Sequence, residues 1–168
     1  WQAGVTTMRR ERDTAGWLVG DPWIVTHTTL NATAQLAQNL EVGTSGLEVE
    51  AGMAVAMRAL DLTVSGKPNA SFRRPDATLM VVFVSNNDDQ SDFWLGDDPV
   101  SRFLERLDAE VSTYGVPPTV SAIAGEGPDG CTSQNGFVGP AYRYIDAVAA
   151  TGGGFASICD IDVSDFWD

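Results

Sequence analysis

The chain has 168 residues, a length typical of one domain, and 43% of them are hydrophobic, enough to build a core. Ten basic residues and 23 acidic ones give a formal net charge of −13. This charge argues against nucleic acid and anionic membranes as binding partners, because both are recognised by clustered lysine and arginine. No apolar run approaches the roughly 20 residues of a membrane span.

The first half of the sequence predicts two short strands and two helices. Residues 1–8 are typical of a strand, and residues 23–26, after a turn at 20–22, predict a second strand antiparallel to the first. Residues 31–39 predict a short helix capped by Asn31. Apolar residues at helical spacing predict a longer helix over 47–62.

The second half predicts strands that alternate with helices. The strands are at 78–85, 119–124 and 155–158, and the helices are at 99–114 and 141–150, with a long loop over 125–139. The strand at 78–85 is apolar on both faces, as expected in the middle of a parallel sheet covered on both sides. The alternation predicts an α/β domain with a mostly parallel sheet.

The loop that follows the strand at 78–85 is the sharpest candidate site. It contains three carboxylates, at Asp88, Asp89 and Asp92, with Asn86 and Ser91 among its other oxygen-bearing side chains. Such open sheets bind ligands beyond the carboxyl ends of their strands, and these oxygen groups suit Mg²⁺ or Ca²⁺. The alternative is a solvated turn, since aspartate and asparagine also favour turns.

A second candidate group comes from the glycine-rich loop at 43–46. The hydroxyl of Thr44 is a candidate ligand of the same cation, and a helix cap is the alternative. Ser45 in this loop, Ser91 and Asp92 in the acidic loop, and Trp94 directly after it are candidate contacts for a bound partner. No nucleotide-binding motif, nucleophile elbow or nucleophile with a base is present in the sequence, so we predict a protein without enzymatic activity. A metal-dependent hydrolase that uses the loop at 86–92 is the alternative.

The chain has two cysteines, Cys131 and Cys159, and one histidine, His27. Two cysteines do not complete a zinc site. One disulfide is the simplest use of them, and two separate buried thiols are the alternative. We predict the disulfide, which would join the 125–139 loop to the segment after the last strand and place the protein outside the cell, on its surface or in the periplasm.

The segment at 72–91, which runs from Phe72 through the strand to Ser91, resembles bacterial secreted or lipid-anchored von Willebrand factor A-like domains. Further segments match the family pattern in order, and together they cover essentially the whole chain: 42–46 with Glu50, 120–125, Cys131, 139–142, 151–153 and 157–160. The resemblance implies a single doubly wound domain over 1–168, with helices on both faces of the sheet and one antiparallel edge strand.

The family's metal-ion-dependent adhesion site takes ligands from three loops. Thr44 matches its second-loop threonine, and Asn86 stands where its third-loop aspartate belongs. The Asp-x-Ser-x-Ser motif after the first strand has no match, so we expect an internal or processed segment that lacks the first strand and the end of the last helix. The cation site, with Thr44, Asn86, Asp88 and Asp89 as its candidate ligands, is expected to bind Mg²⁺ or Ca²⁺ weakly or not at all in this chain alone.

The resemblance therefore implies a non-enzymatic extracellular binding or adhesion module with a degenerate or incomplete cation site. A partner protein, or another segment of the same precursor, would supply the missing strand, and a homo- or hetero-oligomer is a further expectation. The alternative is a structural subunit of a surface assembly or filament, completed by strand exchange with another chain.

Overall fold

The structure is a computed structural model that describes residues 1–8, 13–43 and 49–160. The described residues belong to two compact units, one within residues 1–77 and the other beginning at residue 78. The single domain over 1–168 stays a prediction. None of the helices in the described ranges is long and apolar enough to cross a bilayer.

Four short elements lie among the described residues of the first unit. They are β1 at Gln2–Ala3, β2 at Val25–Thr26, α1 at Ala32–Leu40 and α2 at Gly52–Asp61. β1 and β2 pair antiparallel, as predicted, although each is only two residues long. Asn31 precedes α1 in a left-handed conformation and makes no side-chain cap bond, so the predicted cap is wrong. The helix predicted over 47–62 begins only at Gly52.

Asn69 organises the interior of the first unit. Its side-chain amide donates to the carbonyl oxygens of Gly16 at 2.7 Å and Ala59 at 3.0 Å, and its Oδ1 accepts from the N–H of Leu18 at 3.0 Å. The side chain is almost fully buried. One residue therefore satisfies three backbone groups, two in the turn around residues 16–18 and one in the last turn of α2.

The second unit contains five strands and three helices among its described residues. They are β3 at Met80–Val84, α3 at Asp92–Leu95, α4 at Pro99–Asp108, β4 at Thr119–Ala124, β5 at Cys131–Ser133, β6 at Gly136–Val138, α5 at Tyr142–Thr151 and β7 at Phe155–Ser157. β3, β4 and β7 form a parallel sheet in the order β3-β4-β7, and β5 and β6 form a separate antiparallel hairpin.

The α/β class and the parallel sheet are confirmed, but the position predicted for the strand at 78–85 is wrong. β4 lies in the centre of this three-stranded sheet and β3 lies at its edge. Phe83 of β3 contacts Phe103 of α4, with ring centroids 5.6 Å apart, and stacks on Tyr144 of α5 at 4.6 Å. α4 and α5 thus pack on the same face of the sheet, whereas Val82 on the other face is exposed. The doubly wound arrangement is not seen in the described residues.

Several helix and strand boundaries differ from those predicted. α4 ends at Asp108 rather than at residue 114, although Val111 continues the apolar spacing. Its start is defined by Asp98, whose Oδ1 accepts from the N–H of Ser101 at 3.0 Å. The β5–β6 hairpin interrupts the loop predicted over 125–139, and α3 is a single helical turn that the sequence did not predict.

Candidate functional site

The acidic loop begins where β3 ends, at the carboxyl edge of the parallel sheet. Ser85 fixes its first turn, because its hydroxyl donates to the carbonyl oxygen of Asn87 at 2.8 Å and accepts from the N–H of Asn87 at 3.1 Å. Asn86, the first residue of the loop, is exposed. The predicted location of the loop at this edge is therefore observed.

Asp89 lies at the buried centre of the loop, with 2% of its surface exposed. Its Oδ2 accepts from the N–H of Ser91 and its Oδ1 accepts from the hydroxyl of Ser91, both at 2.9 Å. The hydroxyl of Tyr144 lies 3.5 Å from the same Oδ1. Ser91 is fully buried, so it supports the loop and does not offer the exposed contact that the sequence predicted.

Asp88 joins the loop to the start of α5. Its Oδ1 accepts from the backbone N–H groups of Asp89 and Arg143, both at 2.9 Å. Ala141, at the cap position of α5, supplies no side-chain cap, so Asp88 satisfies a first-turn N–H from outside the helix. Burial raises the pKa of Asp88, and the hydrogen bonds from Asp89 and Arg143 oppose that rise.

Arg143 binds the loop from α5 at two further points. Its Nη1 donates to the carbonyl oxygen of Asp89 at 2.6 Å and to Oδ1 of Asp92 at 2.9 Å. The hydrogen bond from Arg143 lowers the pKa of Asp92, and the hydrogen bond to Asp92 raises the pKa of Arg143. The sequence analysis missed Arg143 and Tyr144. One signal was available for Arg143, which is one of only three basic residues between positions 78 and 160.

The carboxylates of the acidic loop already have protein partners. Asp88, Asp89 and Asp92 each accept hydrogen bonds from protein donors, and the donor to Asp92 is itself a cation. Within the described ranges, no group of three or more histidine, cysteine, aspartate or glutamate side chains is placed to hold a metal ion. Thr44 and Ser45 lie outside the described residues, so the approach of Thr44 to Asn86 stays a prediction.

The aromatic residues of α3 lie directly after this network. Phe93 is 85% exposed, and its ring meets that of Trp94 edge to face with centroids 5.2 Å apart. Trp94 itself is half-buried. Trp94 and the partly exposed Asp92 thus remain candidate contacts for a partner, and the sequence analysis did not single out the more exposed Phe93.

The outer edge of β3 is a second surface of interest. Leu79 accepts from the N–H of Thr119 at 3.0 Å and Ser85 donates to the carbonyl oxygen of Ile123 at 3.1 Å, so the odd-numbered residues of β3 face β4. Because neighbouring residues of a strand direct their backbone groups to opposite sides, those of Met80, Val82 and Val84 point away from the sheet. We call this row of outward backbone groups the open edge.

The side chains of the same three residues share the face opposite α4 and α5. Met80 is 62% exposed, Val82 51% and Val84 52%. We call these three side chains the open face. Parallel sheets are normally covered on both faces and open edges normally carry charge or proline, yet β3 contains neither. β7, at the opposite edge of the sheet, is only three residues long, and short edge strands resist unwanted pairing.

The predicted disulfide is present. Cys131 in β5 is bonded to Cys159, which follows β7, and their Cα atoms lie 6.0 Å apart. That separation falls within the usual range for a disulfide. The bond links the hairpin of the 125–139 segment to the chain beyond the last strand, as the sequence analysis proposed.

The chain was compared with models of protein families, with curated proteins and with solved structures. No match was found in any of the three comparisons. The resemblance to von Willebrand factor A-like domains therefore rests on sequence segments between residues 42 and 160 alone.

Proposed function

We propose that this chain is a non-enzymatic binding module of the adhesion type, as its resemblance to von Willebrand factor A-like domains implies. The observation that carries the proposal is the open edge of β3 combined with the open face. β3 is an edge strand of the parallel sheet, and all five of its residues are apolar. It contains no charged residue or proline, which normally prevent another strand from pairing with an edge.

Among the described residues the open edge has no strand partner, so it offers a ready binding mode. Met80, Val82 and Val84 present outward N–H and C=O groups, and an extended segment of another polypeptide can bond to them as an additional strand. Because strands of one sheet lie about 4.8 Å apart, side chains of the added strand would also contact the open face. Backbone bonds would supply affinity and the apolar side chains would supply selectivity.

The acidic loop is proposed as a degenerate form of the adhesion site. Asn86 lacks the charge of an aspartate, and Asp88 and Asp89 accept hydrogen bonds from within the protein. These bonds favour a structural use of the loop, with Mg²⁺ or Ca²⁺ bound weakly or not at all by this chain alone. Because Asp88 and Asp89 accept these hydrogen bonds, we do not expect them to act as a general acid or base.

The disulfide between Cys131 and Cys159 supports a location in an oxidising compartment. Disulfides persist in secreted proteins, on cell surfaces and in the bacterial periplasm. We propose one of these locations for the module. A binding partner would then be another extracellular or surface protein, or a further segment of the same precursor.

The same edge also supports a second candidate function. A structural subunit would use the open edge to exchange strands with other subunits in a surface assembly or filament. The two candidates differ in what occupies the edge: another protein in the first, and a further subunit of the assembly in the second.

A proline at position 82 tests the proposal directly. The N–H of Val82 points away from β4, so Val82→Pro removes one donor of the open edge without removing a bond of the sheet. Val82→Thr is the matched control, because it keeps the N–H and a β-branched side chain. The probe is a blocked, fluorescently labelled peptide of alternating valine and threonine, followed by fluorescence anisotropy.

We expect the peptide to bind the original chain and Val82→Thr and to bind Val82→Pro at least about tenfold more weakly, because a strand added there loses a central hydrogen bond. Thermal unfolding of both variants shows that they are folded. Failure of the peptide to bind the original chain, or equal binding to all three proteins, would contradict the proposal.

A further inference from the structure

We infer that the open edge is built for a basic, strand-forming segment of another protein and not for a second copy of this chain. This inference rests on the proposed function, since it specifies the chemistry of the occupant. It is carried by the distribution of charge around the sheet that contains β3.

The negative charge of the chain is concentrated in the second unit. Residues 78–168 contain fifteen acidic and three basic residues, whereas residues 1–77 contain eight acidic and seven basic ones. The open edge therefore belongs to a unit with a net charge of about −12, counted with ionised carboxylates at neutral pH. A net charge of this size produces a negative potential beyond the surface of the unit.

The three basic residues of this segment each lie beside a carboxylate. The pairs are Arg102 with Glu105 at 3.7 Å, Arg106 with Glu110 at 2.7 Å and Arg143 with Asp92 at 2.9 Å. Because these three arginines are paired, the remaining carboxylates of the second unit are uncompensated, and its described residues form no separate basic patch. Exposed Asp97 and Asp98, which follow α3, are among these carboxylates.

This charge separates the two candidate occupants. A second copy of the chain carries a net charge of −13 as well. Pairing of the two copies at the open edge would bring their strands about 4.8 Å apart, and repulsion between like charges disfavours such a complex. A segment rich in lysine or arginine is attracted instead, and electrostatic steering raises its association rate. The open face adds a requirement for apolar side chains, because Met80, Val82 and Val84 are available to pack against them.

The occupant is thus specified as an extended segment with an apolar core and a basic flank at the end that lies beside the acidic loop. β3 is five residues long, which sets the length of the paired core. One flank of the added strand reaches the carboxyl end of β3, where the acidic loop begins. Asp88 and Asp92 in that loop keep the local potential negative even though both are hydrogen-bonded.

Three labelled peptides test this inference. All have the same core of alternating valine and threonine, and they differ only in two flanking residues at each end: lysine, serine or glutamate. We expect the lysine peptide to bind at least about tenfold more tightly than the glutamate peptide near 20 mM salt, and the difference to shrink several-fold near 500 mM as salt screens the charges.

The outcomes separate this inference from the proposed function. If the serine peptide binds the open edge but the lysine and glutamate peptides bind equally, the inference fails and the proposed function stands. If none of the peptides binds, the proposed function fails as well. If the lysine peptide binds Val82→Pro as tightly as the original chain, its binding is non-specific attraction and the inference is overturned.

Sedimentation velocity tests the second copy. We expect a monomer at micromolar concentration and at both salt concentrations. A dimer in the original chain that is lost in Val82→Pro would show that the edge pairs with its own copy, which would overturn the inference and favour the structural subunit.

Discussion

The backbone N–H of Arg143 donates to Oδ1 of Asp88 at 2.9 Å, although 55 residues separate them in the sequence. The bond caps α5 with a carboxylate from the loop after β3. A negative charge at a helix N-terminus is favoured by the helix dipole as well as by the hydrogen bond. The acidic loop is therefore part of the structure that positions α5 on the sheet.

Replacing Asp88 tests its role as a cap. Asp88→Ala removes the acceptor for the N–H groups of Asp89 and Arg143, and we expect it to lower the free energy of unfolding by about 1–2 kcal/mol. Asp88→Asn keeps an oxygen that can accept both bonds and should cost less. Asp146→Asn, on the exposed side of α5, controls for loss of charge. Urea unfolding measures all three variants, and an Asp88→Ala variant as stable as the original chain would refute the cap.

Arg143 should be sensitive to the shape of its side chain as well as to its charge. Arg143→Lys keeps the charge but loses the guanidinium that reaches both the carbonyl oxygen of Asp89 and the carboxylate of Asp92. We expect a loss of about 1 kcal/mol in the free energy of unfolding, because the bond to the carbonyl oxygen of Asp89 is partly buried, whereas the exposed bond to Asp92 adds little. Arg102→Lys is the matched control, since its pair with Glu105 is exposed and such pairs contribute little. Equal effects of the two substitutions would contradict this role.

Two carboxylates of the loop should affect stability in opposite directions as pH changes. Burial raises the pKa of Asp88 above its ordinary 3.8, so the native state holds its proton longer than the unfolded state does, and stability falls as pH rises from 3.8 through the raised value. Asp88→Asn, compared with the original chain, should therefore gain relative stability across that window.

Asp92 should show the reverse dependence. Its hydrogen bond from Arg143 lowers its pKa below 3.8, so its contribution is present above 3.8 and is lost as pH falls through the lowered value. Asp92→Asn should cost stability at neutral pH and converge with the original chain in acid. Urea midpoints measured from about pH 2 to pH 7 test both residues, and parallel curves for a variant and the original chain would exclude the corresponding shift.

Cation binding distinguishes a degenerate site from a working one. We expect calorimetry with Mg²⁺ or Ca²⁺ to give weak or undetectable binding to this chain, because Asp88 and Asp89 already accept hydrogen bonds. Asn86→Asp adds a carboxylate where the family has one and should strengthen binding if Thr44 and this loop form a site. Asn87→Asp adds the same charge one residue away and serves as the control. Tight binding by the unaltered chain would show that the cation binds elsewhere.

The disulfide should contribute substantially to stability. Cys131 and Cys159 are 28 residues apart, and a link that closes such a loop stabilises by about 3–4 kcal/mol in the chain-entropy model. Replacing both cysteines with serine should lower the melting temperature and the urea midpoint by a corresponding amount. Reduction of the original chain should reproduce the effect, and a reducing agent should leave the serine variant unchanged.

Much of the local structure could be predicted from the sequence. The strand predicted at 119–124 is β4 with the same bounds, and α5 differs from its prediction by one residue at each end. The spacing of apolar residues distinguishes a strand from a helix, and this spacing depends only on residues within the element itself. The cysteine count likewise indicated the one disulfide.

Which strands pair and which side chains meet could be learned only from the tertiary structure. The run of apolar residues in β3 predicts a strand, but the same run suits a central strand or an exposed edge, and only its pairing with β4 decides between them. The acidic loop shows the same limit. Its composition predicts oxygen ligands, whereas Arg143 and Tyr144, more than 50 residues away, direct those oxygens into hydrogen bonds within the protein. The sequence by itself determined which groups were available, and packing determined which partners they met, because hydrogen bonds between distant segments form only after the sheet and helices have brought them together.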